Sequence, residues 1–203
     1  MQIKKEYYLT EDVLFLAKDL IGKVLHITQP HNHLRGMIVE AEAYRAPEDR
    51  ASHAFGNRMT ARNRTMFLEG GHAYVYICYG IHHMLNVVTG PEGLPHAVLI
   101  RAIQPLEGIE FMATKRNRKS SDPAIGKGPG CVTQALGINK IHDALKLYQP
   151  DSPVQLHDEG IQFNSNEIGI SPRIGVESSG ESALLPYRFF LRNHPSVSGH
   201  IRR

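Results

Sequence analysis

The sequence predicts a mixed α+β fold, a mostly antiparallel sheet with helices around it, in a single domain covering residues 1–203. Three observations carry that expectation. The chain is 41% hydrophobic over 203 residues, enough for one substantial core. Its 18 glycines and 12 prolines call for many turns rather than a helical bundle. Its strand-like runs also follow one another through short turns, with no internal repeat and no linker that would divide the chain.

The elements follow in order. "TEDVLFLAKDLI" (residues 10–21) reads as an amphipathic helix. Thr10 can cap it, Glu11 and Asp12 suit its positive end, and Gly22 ends it. "KVLHIT" and "LRGMIVEAEAY" read as two strands joined through the turn-rich "QPHNH". "APEDRASHAFGNRMTARNRTMF" has no clean period and is expected to be a loop with a short helical piece. "AYVYICYGIHHMLNVVTG" reads as a β-hairpin turning near Tyr79-Gly80. "HAVLIRAIQPLEG" gives a further strand and "GIEFMATKRNRK" a helix with a basic end. "SSDPAIGKGPG" is a mobile-looking loop running into a helix at "CVTQALGI". Shorter strands near "PVQLHD" and "YRFFLR" precede the tail "HPSVSGHIRR".

Composition bounds the function. Cys78 and Cys131 are the two cysteines and form no CxxC pair, which excludes a disulfide framework or zinc knuckle and suits a reducing compartment. The amino-terminal apolar run is interrupted by Lys18 and Asp19, so neither a signal peptide nor a membrane span is expected and the chain reads as cytoplasmic. A net charge of +3 is compatible with a nucleic-acid partner.

In "IVEAEAY", Val39, Ala41 and Ala43 alternate with Glu40, Glu42 and Tyr44, so two carboxylates and a phenol line one face of a strand. Glu42 and Tyr44 then lie roughly 7 Å apart, a carboxylate beside an aromatic platform. Arg101, inside "AVLIRAI", needs a carboxylate partner or a substrate; an ion pair with a glutamate is one outcome. Tyr74 and Tyr76 share a strand face and are expected in core packing, Tyr74 above all. Tyr79 falls at the hairpin tip, where an aromatic has little core to join and suits insertion between base steps. Asn86 interrupts an apolar strand, as a hydrogen-bonded core amide or a pocket wall. Arg58, Arg62 and Arg64 in "GNRMTARNR", the run "KRNRK" and Lys127 in "GKGPG" flank the hairpin and together suggest a phosphate-tracking surface. The histidine-rich "HNH" and "HH" invite a metal nuclease. No downstream ligand set has convincing spacing, however, and adjacent histidines on a strand face opposite ways.

The segments "VEAEAYRAPEDRASHAF", "RNRTMF", "GHAYVYICYGIHHMLNVVTGPEG", "AVLIRAIQPLEG", "GPGCVTQALGI" and "RIGV" follow one another as in the alkyladenine (3-methyladenine) DNA glycosylase family. The resemblance covers essentially the whole chain, which looks like a compact bacterial-type member. It implies a single domain on a curved antiparallel sheet with a protruding hairpin. It also implies roles: Glu42 as general base, Arg101 helping to place the water, and Tyr44, His53 and Tyr76 in the base pocket. Asn86 becomes the wall that screens purines, and Tyr79 the intercalating residue. One departure stands out: after "GPG" many members carry a basic residue, where this chain has Cys131 and Val132, leaving a phosphate contact there to Lys127 and backbone amides.

The resemblance implies a glycosylase acting on duplex DNA with damaged purines. Because no lysine sits among the pocket candidates, it is expected to be monofunctional, with a water nucleophile and no strand cleavage. It would be a monomer, associated with the nucleoid, with no cofactor, no metal and no membrane contact. A second class is a damage-binding protein that keeps the pocket without cleaving. The presence of Glu42 argues against it; burial of Glu42 in an ion pair with Arg101 would argue for it.

Overall fold

One long strand, β2 (Asn32–Tyr44), organises the molecule. β5 (His96–Glu107) runs along one of its edges, while the other edge is shared by β1 (Val24–Gln29) and then β8 (Arg188–Leu191). β3 (Ala73–Cys78) and β4 (His82–Thr89) form the hairpin. With β6 (Val154–His157) they extend the order to β3-β4-β5-β2-β1-β6, and β7 (Ile168–Ser171) pairs with β8. All these pairings are antiparallel, so the expected sheet is present, curled because β2 changes partner midway. This is a computed structural model that describes residues 1–199; residues 200–203 of the tail lie outside the described residues.

Alternation along β2 decides what each face meets. Val39, Ala41 and Ala43 enter the main core with Leu25, Ile100 and Ile103, which α1 (Val13–Asp19), α2 (Ile109–Arg116) and α3 (Pro129–Leu136) help to cover. Asp12 rather than Thr10 caps α1, accepting from the amides of Leu14 and Phe15, while the Thr10 hydroxyl accepts from Asp12 N. The cap sits closer to the first apolar turn than the sequence suggested. α3 starts at Pro129, before the expected start, because proline suits a first helical position. The loop read as mobile is instead stitched down: Ile103 N donates to Gly126 O at 3.0 Å, Arg116 Nε to Ile125 O at 3.0 Å, and Lys127 Nζ to Pro195 O at 3.1 Å. β7, a four-residue strand with a glycine, carried too short a pattern to be read.

Two irregularities place the chemistry. Ile38 pairs with Ile103, Glu40 with Ala102 and Ala41 with Ile100, so Val39 and Arg101 are left without opposite partners. Such bulges re-aim side chains, and Arg101 thereby reaches two carboxylates on β2. At the hairpin tip, Tyr79 takes φ +50° and Gly80 φ +74°, and Ile81 N closes the turn on Cys78 O at 3.2 Å. A non-glycine residue at positive φ is uncommon, and here it holds Tyr79 out of the sheet.

Candidate active site

Glu40 and Glu42 do not form a solvated strand face. Both are fully buried, and their partners Arg101 and Arg188 are nearly so. Glu40 takes four donors: Arg101 Nε at 3.0 Å, Arg188 Nε at 2.7 Å, and Ser198 Oγ and N at 2.9 and 2.6 Å. Glu42 takes three, with Tyr44 Oη at 3.0 Å and Arg101 Nη1 at 3.2 Å on Oε2, and Ile174 N at 2.8 Å on Oε1. A carboxylate offers about four acceptor sites; Glu40 takes four donors, three on Oε1 and one on Oε2, while Glu42 takes three and carries a single donor on Oε1. Tyr44, expected beside Glu42, is bonded to it.

Over this layer lies a cavity of about 300 Å³ lined by Tyr44, His53, Tyr74, Tyr76 and Asn86, with Arg62, Tyr79, Gly175 and Val176 at its walls. His53 and Tyr76 meet edge-on at 4.6 Å, and Tyr74 and Tyr76 tilt at 5.3 Å. His53 Nδ1 pairs with the Tyr74 hydroxyl at 2.9 Å, leaving Nε2 unengaged by that contact. Tyr74 packs with Met66 and Ala97 as expected, but also lines the cavity. Asn86 answers to both of its readings, buried with Nδ2 on Tyr74 O at 3.0 Å and also lining the cavity. Glu42 and Arg101 lie just behind the lining, joined to it through Tyr44 and the Ile174–Val176 segment.

Burial pushes the Glu42 carboxyl above its ordinary range, although Arg101, the Ile174 amide and the Tyr44 hydroxyl all pull it down. Burial likewise raises the Tyr44 phenol well above 10 with help from Glu42, so Tyr44 remains a donor. Tyr76 is pushed up to about 12, chiefly by burial. His53, crowded by tyrosines and facing the Arg62 charge, falls to about 4 and is neutral near pH 7. Burial works against the Arg101 charge, but Glu42 and Glu40 more than offset it.

The basic residues are distributed unevenly. Arg62 lies 5.0 Å over the Tyr76 ring and donates to Ile77 O at 3.1 Å. Arg58 and Lys127 are exposed. Arg64 borders a different cavity of about 480 Å³, with Met59, Phe67 and Lys140. At the hairpin tip Tyr79 is 91% exposed and Ile81 73%. Among the described residues no group of three or more His, Cys, Asp or Glu is placed to hold a metal. No helix of the described residues is long and apolar enough to cross a membrane.

Sequence reasoning missed Asp49, Arg173, Arg188 and Ser198, which frame the carboxylates. It also missed Asn63, whose amide holds His53 O and Arg58 O at 2.8 and 2.9 Å and so shapes the arginine loop. Arg173 in "SPRIGV" and Arg188 in "YRFF" carried the signal used for Arg101, a charge inside an apolar run. Ser198 carried none.

Residues 7–195 match the family model described as Methylpurine-DNA glycosylase (MPG). The chain is 44% identical over 200 residues to a Chlamydia pneumoniae protein named "Putative 3-methyladenine DNA glycosylase", with 98% of each chain covered. Proteins of the same name from Bdellovibrio bacteriovorus and Bacillus cereus (strain G9842) are 40% and 38% identical, each alignment covering 98% of this chain and 99% of the relative. The expected resemblance is thus met along nearly the whole length, and the chain belongs to the methylpurine-DNA glycosylase family, DNA glycosylases of DNA repair.

Proposed function

We propose that this chain, acting as a monomer on nucleoid DNA, removes alkylated and deaminated purines of the 3-methyladenine, 7-methylguanine and hypoxanthine class by hydrolysis. It leaves an abasic site, the first step of base excision repair. The observation that carries the reading is Glu42: a buried carboxylate with a raised pKa, held by three donors with one Oε1 position open, behind an aromatic cavity. The relatives named for 3-methyladenine support that part of the substrate class.

The damaged nucleotide leaves the stack, at a cost of about a few kcal/mol, and Tyr79 fills the gap. Tyr44 and Tyr76 stack on the base, and their electron-rich faces favour the positive charge of a methylated purine. Neutral His53 meets the base edge or sugar phosphate through Nε2. Asn86 is the gate against the 2-amino group of guanine, and Arg58, Arg62, Arg64 and Lys127 hold phosphates. Water attacks C1′ as the C1′–N bond breaks; its proton passes to Glu42 Oε1, the bonding pair leaves with the base, and the carboxylate steadies the oxocarbenium-like sugar. Arg101, committed to Oε2, fixes which oxygen is basic. No lysine lines the cavity among the described residues, which supports water over an amine nucleophile and so base release without strand cleavage.

One observation favours the second reading, recognition without cleavage: Glu42 is buried in an ion pair with Arg101. The open site on Oε1 tells against it, because the pair does not exhaust the carboxylate. Base release from duplexes carrying each lesion, in excess EDTA, tests both readings. Free base with alkali-labile, otherwise intact strands is expected. Tight binding with no release would favour the binder, and activity lost to EDTA and restored by Zn²⁺ or Mg²⁺ would return the metal-dependent reading.

A further inference from the structure

None of these steps uses the ion pair of Asp49 and Arg173, whose side chains are both fully enclosed. Arg173 Nη2 donates to Asp49 Oδ1 at 2.8 Å while Nη1 reaches the other oxygen. The same guanidinium donates to Ala43 O at 2.8 Å and Ser182 O at 3.0 Å. It also lies 4.7 Å from the Tyr44 ring and 5.2 Å from the Tyr187 ring. Asp49 in turn accepts from the amides of Arg45 and Ala51.

A buried ion pair is weak evidence for stability, since well-packed apolar residues often serve as well or better. The location of this one is more informative. Ala43 precedes Tyr44, and Ala51 lines the cavity just before His53. Arg173 precedes Ile174, whose N–H occupies one position on Glu42 Oε1, and the following Gly175 and Val176 line the cavity. One fork thus joins three pieces of the pocket wall. The charges also balance: carboxylates Glu40, Glu42 and Asp49 lie among guanidiniums Arg101, Arg173 and Arg188, all buried, and the set is neutral when Glu42 is ionised.

We propose that Arg173, clamped by Asp49, is a positioning residue whose fork holds the Ile174 amide on Glu42 and whose plane holds the Tyr44 ring. The proposal rests on Glu42 being the base. Facing that carboxylate are Tyr44 and Glu40 on its own strand, Arg101 from β5, Arg188 opposite on β8, Tyr76 from β3, and Arg173. Losing the Ile174 N–H removes an interaction that stabilises the anion, so the acid limb of the rate profile should move to higher pH.

The test is single-turnover release of hypoxanthine and of 7-methylguanine against pH, with lesion-duplex affinity, for Arg173→Lys, Tyr187→Leu, Glu42→Gln and Leu156→Ala. Lysine keeps the charge balance but lacks the fork. Tyr187→Leu removes one face of the stack. Leu156 is buried on β6, at the far edge of the sheet, and serves as a control for lost stability. Arg173→Lys should slow hypoxanthine release roughly 10- to 100-fold, as small misplacements do. It should also shift the acid limb upward, affect 7-methylguanine less and leave affinity within a few-fold. Tyr187→Leu should act in the same direction more weakly, and Leu156→Ala should leave the limb where it is. Equal slowing of both bases with an unmoved limb, while Glu42→Gln is inactive, overturns the clamp alone. An active Glu42→Gln overturns the base assignment and the clamp with it. If Arg173→Lys does not fold, Tyr187→Leu decides; if neither folds, the pair is a folding element and the proposal is wrong.

Discussion

Glu40 and Glu42 lie one pleat apart on β2, equally enclosed and sharing Arg101, yet their surroundings differ. Around Glu40, four donors come from β5, β8 and the Ser198 segment, as many as a carboxylate usually takes. Around Glu42, three donors leave one position open, and one of the three is a tyrosine that also lines the cavity. Burial therefore does not distinguish the two carboxylates. Their donors do: only Glu42 is bonded to a side chain that lines the cavity. Glu40 ties the carboxy-terminal segment to the sheet, and Glu42 is tied to the cavity lining through Tyr44.

The largest effect should come from Glu42. Glu42→Gln should lower single-turnover hypoxanthine release by about 10² to 10⁴-fold, the usual range for a general base, with lesion binding near normal. The loss should shrink for cationic methylated purines, which leave more readily. In the parent enzyme, the raised carboxyl means that release falls as pH drops, with a midpoint above 4.5, the ordinary value. A hypoxanthine rate near that of the parent would break the contrast at its centre.

Glu40→Gln should invert the pattern. Removing the anion leaves Arg188 and Arg101 short of a counter-charge and, because the amide keeps only one acceptor oxygen, costs one of the two Ser198 bonds, a defect worth about 3–5 kcal/mol. Urea unfolding should show that loss, while the folded fraction still releases hypoxanthine far faster than Glu42→Gln does. If Glu40→Gln is stable and inactive, the two roles are reversed.

The hairpin sharpens the comparison from the exposed side. Tyr79, 91% exposed, can be cut to serine with no change in melting temperature, because it contributes nothing to packing. Binding to lesion duplex should weaken about tenfold, the loss of roughly 1–3 kcal/mol of stacking, with little change on single strands. Equal loss on both substrates would remove the wedge role. The smallest effect is expected at Asn86. Asn86→Ser should cost about 1 kcal/mol through the lost bond to Tyr74 O and raise excision of guanine-type bases relative to hypoxanthine a few-fold. An unchanged ratio across the lesion panel would take Asn86 off the wall.

Much of this was legible before folding. Period-two alternation marked β2 and its polar face, turn residues marked the hairpin and Tyr79, and a charge inside an apolar strand marked Arg101. The misses share a cause. Asp12 displaced Thr10 as a cap because both residues suit the role, and only the path of the backbone chooses between them. Arg173, Arg188 and Ser198 meet Asp49 or Glu40 across 124 to 158 residues of chain, and those meetings depend on sheet register and on β8 joining β2.

The sequence by itself determined the antiparallel sheet, the exposed aromatic tip, the family, and the residue types available to a pocket, because each rests on local pattern or on matched motifs. Tertiary structure alone decided how many donors each carboxylate takes and from where, that Tyr44 is bonded to Glu42, and that Arg173 sits beneath both. These depend on paired bulges that bring Arg101 to β2 and on contacts between segments more than a hundred residues apart in sequence. The number of donors is a count of neighbours in space, and alternation along one strand cannot supply it.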